Sequence, residues 1–175
     1  MSRASLGFYS FAILAASGVI SSALARDGSP DLVAFFSGHL SAAGTFQNHF
    51  DGSTRGVRID VHGVRSPRGF KLIEDTVYSD GEKHRSLWTL SKVAEGQYVG
   101  EGTDLIGLAK IQAQGNEIDI AYRAHVATKD GKIHDLDFKQ TYIFNRPGTA
   151  DYRVTVSFLF VPIGDAYMTI RKLRY

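Results

Sequence analysis

Four residues in one short stretch carry side chains able to do chemistry together. Glu74, Tyr78, Arg85 and Trp88 all lie in FKLIEDTVYSDGEKHRSLWTL, from Phe70 to Leu90. They supply a carboxyl, a phenol, a guanidinium and the chain's only tryptophan. A carboxyl tuned by its surroundings can orient a ligand or act as a general acid. A guanidinium holds anions, and an indole offers one N–H beside a large apolar face. The plainer reading is a cross-strand ion pair between Glu74 and Arg85, which is ordinary in sheets and is favoured here. Asp104 is a fifth candidate, as either a turn residue or a carboxylate aimed into an interior. Tyr122 is a sixth, although Trp88, Tyr98, Tyr122 and Phe138 are the kind of aromatic residue that more often fills a core.

Other chemistries lack their residues. The six histidines, His39, His49, His62, His84, His125 and His134, show no His-x-His or HExxH spacing, so no metal site is expected. His125 and His134 flank an expected hairpin turn and read as a solvated pair. There is no cysteine, hence no disulfide and no thiolate ligand. No Gly-x-Ser-x-Gly elbow occurs, and no serine has an evident histidine partner. The run Gly100-Glu101-Gly102-Thr103-Asp104-Leu105-Ile106-Gly107 lacks the ending of a phosphate-binding loop and the spacing of a dinucleotide fingerprint. It reads as bends in strands, and no cofactor is implied.

The element that must position the first four residues is a hairpin around Asp80-Gly81. Two registers are open. In a two-residue loop, Thr76 faces Arg85, and Glu74, Thr76, Tyr78 and Arg85 share one face. In a three-residue loop with Gly81 left-handed, parity flips: Trp88 joins Glu74 and Tyr78, and Arg85 leaves them. Asp-Gly suits a type I′ turn, so the first register is favoured.

The 175 residues carry a net charge of +2 with no long run of one sign, which gives no footprint for nucleic acid. The basic tail Arg171-Lys172-Leu173-Arg174 reads as a solvated strand end. Residues 1–25 resemble a secretory leader: Arg3, an apolar run from Leu6 to Leu24, then Ala23-Leu24-Ala25 before polar Arg26-Asp27-Gly28. Cleavage after Ala25 leaves 26–175 as one domain, able to bury roughly 70% of its unfolded surface.

In that part, Ser29-Pro30-Asp31 predicts the start of a short helix with Leu32, Phe35 and Phe36 as its apolar stripe and Gly38 as its stop. Its shortness requires it to pack across one end of a sheet. Period-two runs follow from Thr45 to Leu173, broken by turns at Asp51-Gly52, Pro67-Arg68-Gly69, Asp80-Gly81, Glu95-Gly96, Gly115-Asn116, Asp130-Gly131, Pro147-Gly148 and Gly164-Asp165. Nine or ten short-linked strands predict an antiparallel up-and-down β-barrel or half-barrel, lipocalin-like in broad form. A β-sandwich is the alternative.

Several of these residues together resemble the DUF3833 family. They are FFSGHLSAAGTFQNHF (35–50), the block Glu74, Tyr78, Asp80, Gly81, Glu82, Arg85 and Trp88, and the set Tyr98, Gly100, Gly102, Asp104, Gly107, Ala109, Gly115-Asn116 and Tyr122. The resemblance runs from about Phe35 to Tyr142. It implies a bacterial envelope protein with a single barrel, in a family of which many are lipoproteins and no function is assigned. The chain departs from the family in lacking the lipobox cysteine, which implies a soluble periplasmic form. It also has Asp137-Phe138-Lys139 where an Asp-Asp-Trp stretch is usual, and Phe160-Val161-Pro162-Ile163-Gly164 in place of a Lys-x-Phe-Gly region. These departures weaken any transfer of ligand specificity from the family.

The leading functional expectation is a periplasmic binder of a small apolar or amphipathic, lipid-like molecule, lined by Glu74, Tyr78, Arg85, Trp88, Asp104 and Tyr122. An enzyme with Glu74 or Asp104 as acid or base ranks below it, because no nucleophile or metal set is visible. A filled barrel serving an envelope partner is the third reading. Interior volume separates them.

Overall fold

The computed structural model describes residues 30–67, 69–128 and 131–173. The expected leader, 1–25, lies outside them. One helix, α1 (Leu32–Phe36), precedes ten strands: β1 (Gly38–Asn48), β2 (Thr54–Ser66), β3 (Gly69–Tyr78), β4 (Lys83–Ala94), β5 (Gln97–Gly102), β6 (Ala109–Gln114), β7 (Glu117–Ala127), β8 (Ile133–Arg146), β9 (Thr149–Phe158) and β10 (Val161–Lys172). Each strand pairs antiparallel with its sequence neighbour, and β10 returns to pair with β1. The result is a closed up-and-down barrel, not a sandwich. Closure removes the edges that a long meander would otherwise expose.

Period-two patterning makes the wall. On β6 the sequence AKIQAQ alternates buried and exposed at every step. On β9, Ala150, Tyr152, Val154 and Val156 point inward and are buried. The first strand is longer than expected, starting at Gly38 rather than Thr45, because small residues such as Ala42 and Gly44 still hold the alternation. The Gly-rich run marks the end of β5. There the chain leaves β6 and crosses to β7 through Ile106 N–H to Arg123 O (2.8 Å) and His125 N–H to Asp104 O (2.8 Å).

The favoured register of the central hairpin is overturned. Thr76 pairs with His84, not Arg85, and Leu72 with Trp88. The loop is Ser79-Asp80-Gly81, with Gly81 left-handed (φ 86°) and the Asp80 carboxylate accepting from Glu82 N–H at 3.2 Å. The physical reason is burial. This register puts Trp88 and Leu90 inside and leaves Arg85 outside; a slip by one would invert all three.

Alternating strand direction gives the barrel two different ends. The β2–β3, β4–β5, β6–β7 and β8–β9 turns share one end with α1. Asp31 caps α1, its carboxylate accepting from Ala34 N–H at 3.0 Å, while Ser29 lies outside the described residues. Leu32, Phe35 and Phe36 are buried, Phe35 edge-on to Phe144 (4.7 Å) and Phe36 edge-on to Tyr142 (5.3 Å). Lys172, in the basic tail, donates to Ala34 O at 2.6 Å and ties the last strand to the helix. Gly38 (φ 87°) turns the chain from helix into β1. This end is closed. At the other end, among the described residues, no helix or strand crosses the mouth.

Candidate functional site

Glu74 sits on the inward parity of β3, between buried Leu72 and half-buried Thr76 and Tyr78. Its cross-strand neighbours are Val61 on β2 and Ser86 on β4. The residue keeps some contact with solvent through the mouth. Its carboxyl is nevertheless surrounded by protein, and that depth governs its proton affinity. Burial pushes the pKa from 4.5 to about 7, opposed only by the nearby indole N–H of Trp88. The indole nitrogen is near enough to favour the carboxylate, yet it is buried without a partner that meets hydrogen-bond distance and angle. The geometry outweighs the proximity here: the two groups are neighbours, not a bonded pair.

The expected Glu74–Arg85 ion pair is therefore corrected. Arg85 lies on the outer wall, where its Nε meets Asp75 Oδ1 at 3.1 Å. Asp104 also stays out of the interior. It is exposed and left-handed (φ 63°) in the β5–β6 loop, so the turn reading holds. The structure brings Glu74, Tyr78, Trp88 and Tyr122 together inside the barrel, and leaves Arg85 and Asp104 outside.

Aromatic rings make the surround. Trp88 meets Tyr122 edge-on at 5.0 Å, and Tyr122 stacks on Phe138 at 4.8 Å. Gln140, the buried polar residue of β8, donates from Nε2 to Tyr122 Oη at 2.8 Å and fixes that ring. Below them Tyr142 stacks on Tyr152 at 4.2 Å. Burial first pushes the Tyr122 and Tyr142 phenols well above their ordinary pKa, followed by the Tyr152 phenol and then the Glu74 carboxyl for Tyr122, and by the Glu74 carboxyl for Tyr142, so both remain neutral. For Tyr152, burial is again the largest cause.

Arg55 was missed in the sequence. Its guanidinium lies 3.6 Å over the Tyr78 ring and 5.4 Å from the Phe46 ring, and pairs with Glu82 and, at 3.4 Å, Asp80. A signal existed: Arg55 shares parity with inward-facing Val57 and Val61 on β2. What hid it was the turn Asp51-Gly52-Ser53, which leaves the strand start undefined by periodicity.

The interior is unequally filled. Toward α1, the space among Leu32, Phe36, Glu74, Trp88 and Gln140 shrinks to a void of about 10 Å³, room for a single water at most. Toward the mouth, inward-facing Phe46, Ile59, Thr76, Tyr78 and Ser86 are only half-buried. A shallow depression of about 470 Å³ lies on the outer wall across β5 to β8, lined in part by Lys110, Asp119, Lys139 and Thr141. Asp119 is engaged there by Thr141 Oγ1 at 2.6 Å, and the depression does not reach Glu74. Among the described residues no three His, Asp or Glu side chains converge to hold a metal.

The family profile described as "Protein of unknown function (DUF3833)" matches residues 12–172. The chain belongs to the DUF3833 family. Its extent exceeds the stretch that carried the resemblance, reaching through β10 at one end and into the expected leader at the other. No functionally curated protein matches the sequence. Among solved structures, the chain is similar to the S-type phycobiliprotein lyase CPES from Guillardia theta, at 9% identity and a TM-score of 0.59, over 82% of this chain and 92% of that one. It is also similar to the redesigned β-barrel mFAP1 bound to DFHBI, at 13% identity and a TM-score of 0.42, over 80% and 97% of the two chains. A de novo designed fluorescence-activating barrel aligns at 14% identity and a TM-score of 0.43, over 82% and 99%. At these identities the likeness is one of fold, and only the lyase passes the level at which a shared fold carries weight.

Proposed function

We propose that this DUF3833 member is a periplasmic carrier or sensor of a small amphipathic molecule, held in the open half of the barrel with its polar head on Glu74. The observation that carries the reading is a buried carboxyl without an ion pair. Such a group destabilises the fold that contains it unless a ligand uses it. At neutral pH it is poised between acid and carboxylate, so it can donate to a carbonyl or accept from a hydroxyl or amine. The ring series Trp88, Tyr122 and Phe138 supplies an apolar wall beside it, the mixture typical of small-molecule sites. The void of about 10 Å³ toward α1 confines the ligand to the mouth side. Barrels of similar shape, among them the phycobiliprotein lyase, support a container role in outline. The leader-like residues 1–25 and the family's envelope character support export.

The experiment is native mass spectrometry of the protein purified from its host, with a thermal-shift panel of fatty acids, alcohols and amines. A copurifying amphiphile, displaced in Glu74→Gln, is the expected result. Empty protein with no thermal shift from any member of the panel would remove this reading in favour of a filled interaction module.

A further inference from the structure

The turn between β9 and β10 breaks a local rule for no internal gain. Val161 pairs with Phe158, so Leu159 and Phe160 alone form the loop. Both are left-handed, at φ 48° and 69°. That two-residue geometry favours Asn-Gly, and large side chains adopt it at a steric cost. Nothing inside the molecule is stabilised in exchange: Leu159 is 64% exposed and Phe160 is 93% exposed. Strain held at an exposed site points to a use outside the fold.

The turns on either side continue the pattern. In barrel order, the β7–β8, β9–β10 and β1–β2 turns are consecutive around the open rim. Ile133 is exposed in the first, Val161 with Leu159 and Phe160 in the second, and Phe50 in the third. The turns are tied together: His134 packs edge-on against Phe158 at 5.9 Å, and His49 bonds to Ile163 O and Pro162 O. The opposite side of the rim is the charged Asp80-Gly81-Glu82-Lys83 turn. We propose that this apolar side of the rim docks on a lipid bilayer, with Leu159 and Phe160 at its tip and Ile133 and Phe50 flanking them.

Charge selects lipid as the occupant. From Val154 to Gly164 no residue is charged, so the tip enters an apolar layer without desolvating an ion. The β7–β8 turn carries Lys132 and His134, suited to anionic head groups, whereas both ring nitrogens of His49 are engaged within the protein. Among the described residues, the carboxylates of Asp51, Asp135 and Asp165 face the protein's own donors, Asp135 meeting His125 Nδ1 at 2.7 Å. Asp51 accepts from Ser53 N–H and Oγ at 2.9 and 2.6 Å, and Asp165 from Thr155 Oγ1 at 2.7 Å and His49 Nε2 at 2.9 Å. The patch is also a set of points rather than a plane. A fluid bilayer admits separate tips, whereas a folded partner needs a matching hole for each. This docking stands independently of what occupies the interior.

The test compares the protein with Leu159→Asn/Phe160→Gly, a pair that suits the same backbone. The probe is vesicles of three parts phosphatidylethanolamine to one of phosphatidylglycerol, against phosphatidylcholine alone. The vesicle-bound fraction is expected to fall on the order of tenfold or more in the variant while its Tm rises. Because another segment could also bind lipid, Phe160→Trp supplies a local readout. Brominated acyl chains should quench the added emission above that of the parent, and more strongly with the anionic lipid. Equal binding of variant and parent together with an unquenched indole overturns the proposal. So does a concentration-dependent dimer in sedimentation that the double variant abolishes, which would make the patch a contact between copies. Amphiphile shifts that depend on Glu74 should persist in the double variant, so this failure and failure of the interior site read differently.

Discussion

The two ends of this barrel meet the same problem with opposite solutions. At one end a five-residue helix turns three apolar side chains inward, and the rings of Phe144 and Tyr142 receive two of them edge-on. At the other end Phe50, Leu159 and Phe160 point outward, and the inward-facing residues behind them stay half-buried. A packed end is where the chain obtains its stability. An unpacked end, lined by aromatics with a lone carboxyl at its floor, is where it keeps something in reserve. The contrast teaches where the costs in this molecule lie: a buried acid where the packed end meets the open half, and a strained turn at the rim.

Five substitutions break or sharpen that contrast, beginning with the largest effect. Phe36→Ala should destabilise by about 3–5 kcal/mol in urea unfolding, since it empties the centre of the closed end. A loss below about 1 kcal/mol would mean that α1 is not a true plug. Glu74→Gln should act in the opposite direction, and with pH. The folded carboxyl holds its proton up to about 7, above the 4.5 of the unfolded chain. Between those values the folded state binds more protons, so stability falls as pH rises and the penalty is complete above the upper one. The variant should remove that slope and gain up to about 3 kcal/mol at pH 8, measured by urea titration at several pH values. Trp88 emission should report the same titration near pH 7 and lose it in the variant.

A pair of glycines on one strand gives an internal control. A Cβ on Gly63 would stand 2.0 Å from the Phe36 carbonyl oxygen and 2.7 Å from the Phe70 ring, whereas one on Gly56 would meet only Ser79, at 3.4 Å. Gly63→Ala should therefore cost about 1–3 kcal/mol or more, and Gly56→Ala should stay within about 0.5. Comparable thermal shifts for the two would erase the distinction between the ends. Arg85→Ala closes the series. Its ion pair with Asp75 is solvated on the outer wall, so the expected change is under about 1 kcal/mol with amphiphile binding untouched.

Much of this was legible in the residues. Alternation along Val57–Val61 and Ile118–Ala124 showed which side chains share a face, and short turns showed that neighbours pair. The side-chain chemistry of Glu74, Tyr78, Trp88 and Tyr122 marks them as candidates, and the structure brings all four inside. Chemistry marks Arg85 and Asp104 equally, and the structure leaves both outside. Arg55 was passed over because a turn precedes it, although its parity with Val57 places it over Tyr78. Gln140 with Tyr122 and Tyr142 with Tyr152 meet across strands consecutive in the chain, but alternation leaves the register, and with it the contact, open.

The sequence by itself determined a meander of nine or ten strands and the helix that precedes it, because side-chain periodicity and turn residues are local. Tertiary structure alone decided which half of each pattern faces inward at the Asp80-Gly81 hairpin. A shift of one residue there is nearly neutral for the turn, and decisive for where Trp88 and Leu90 are buried. That choice placed the indole beside Glu74 and sent Arg85 outside, leaving the carboxyl without a cation.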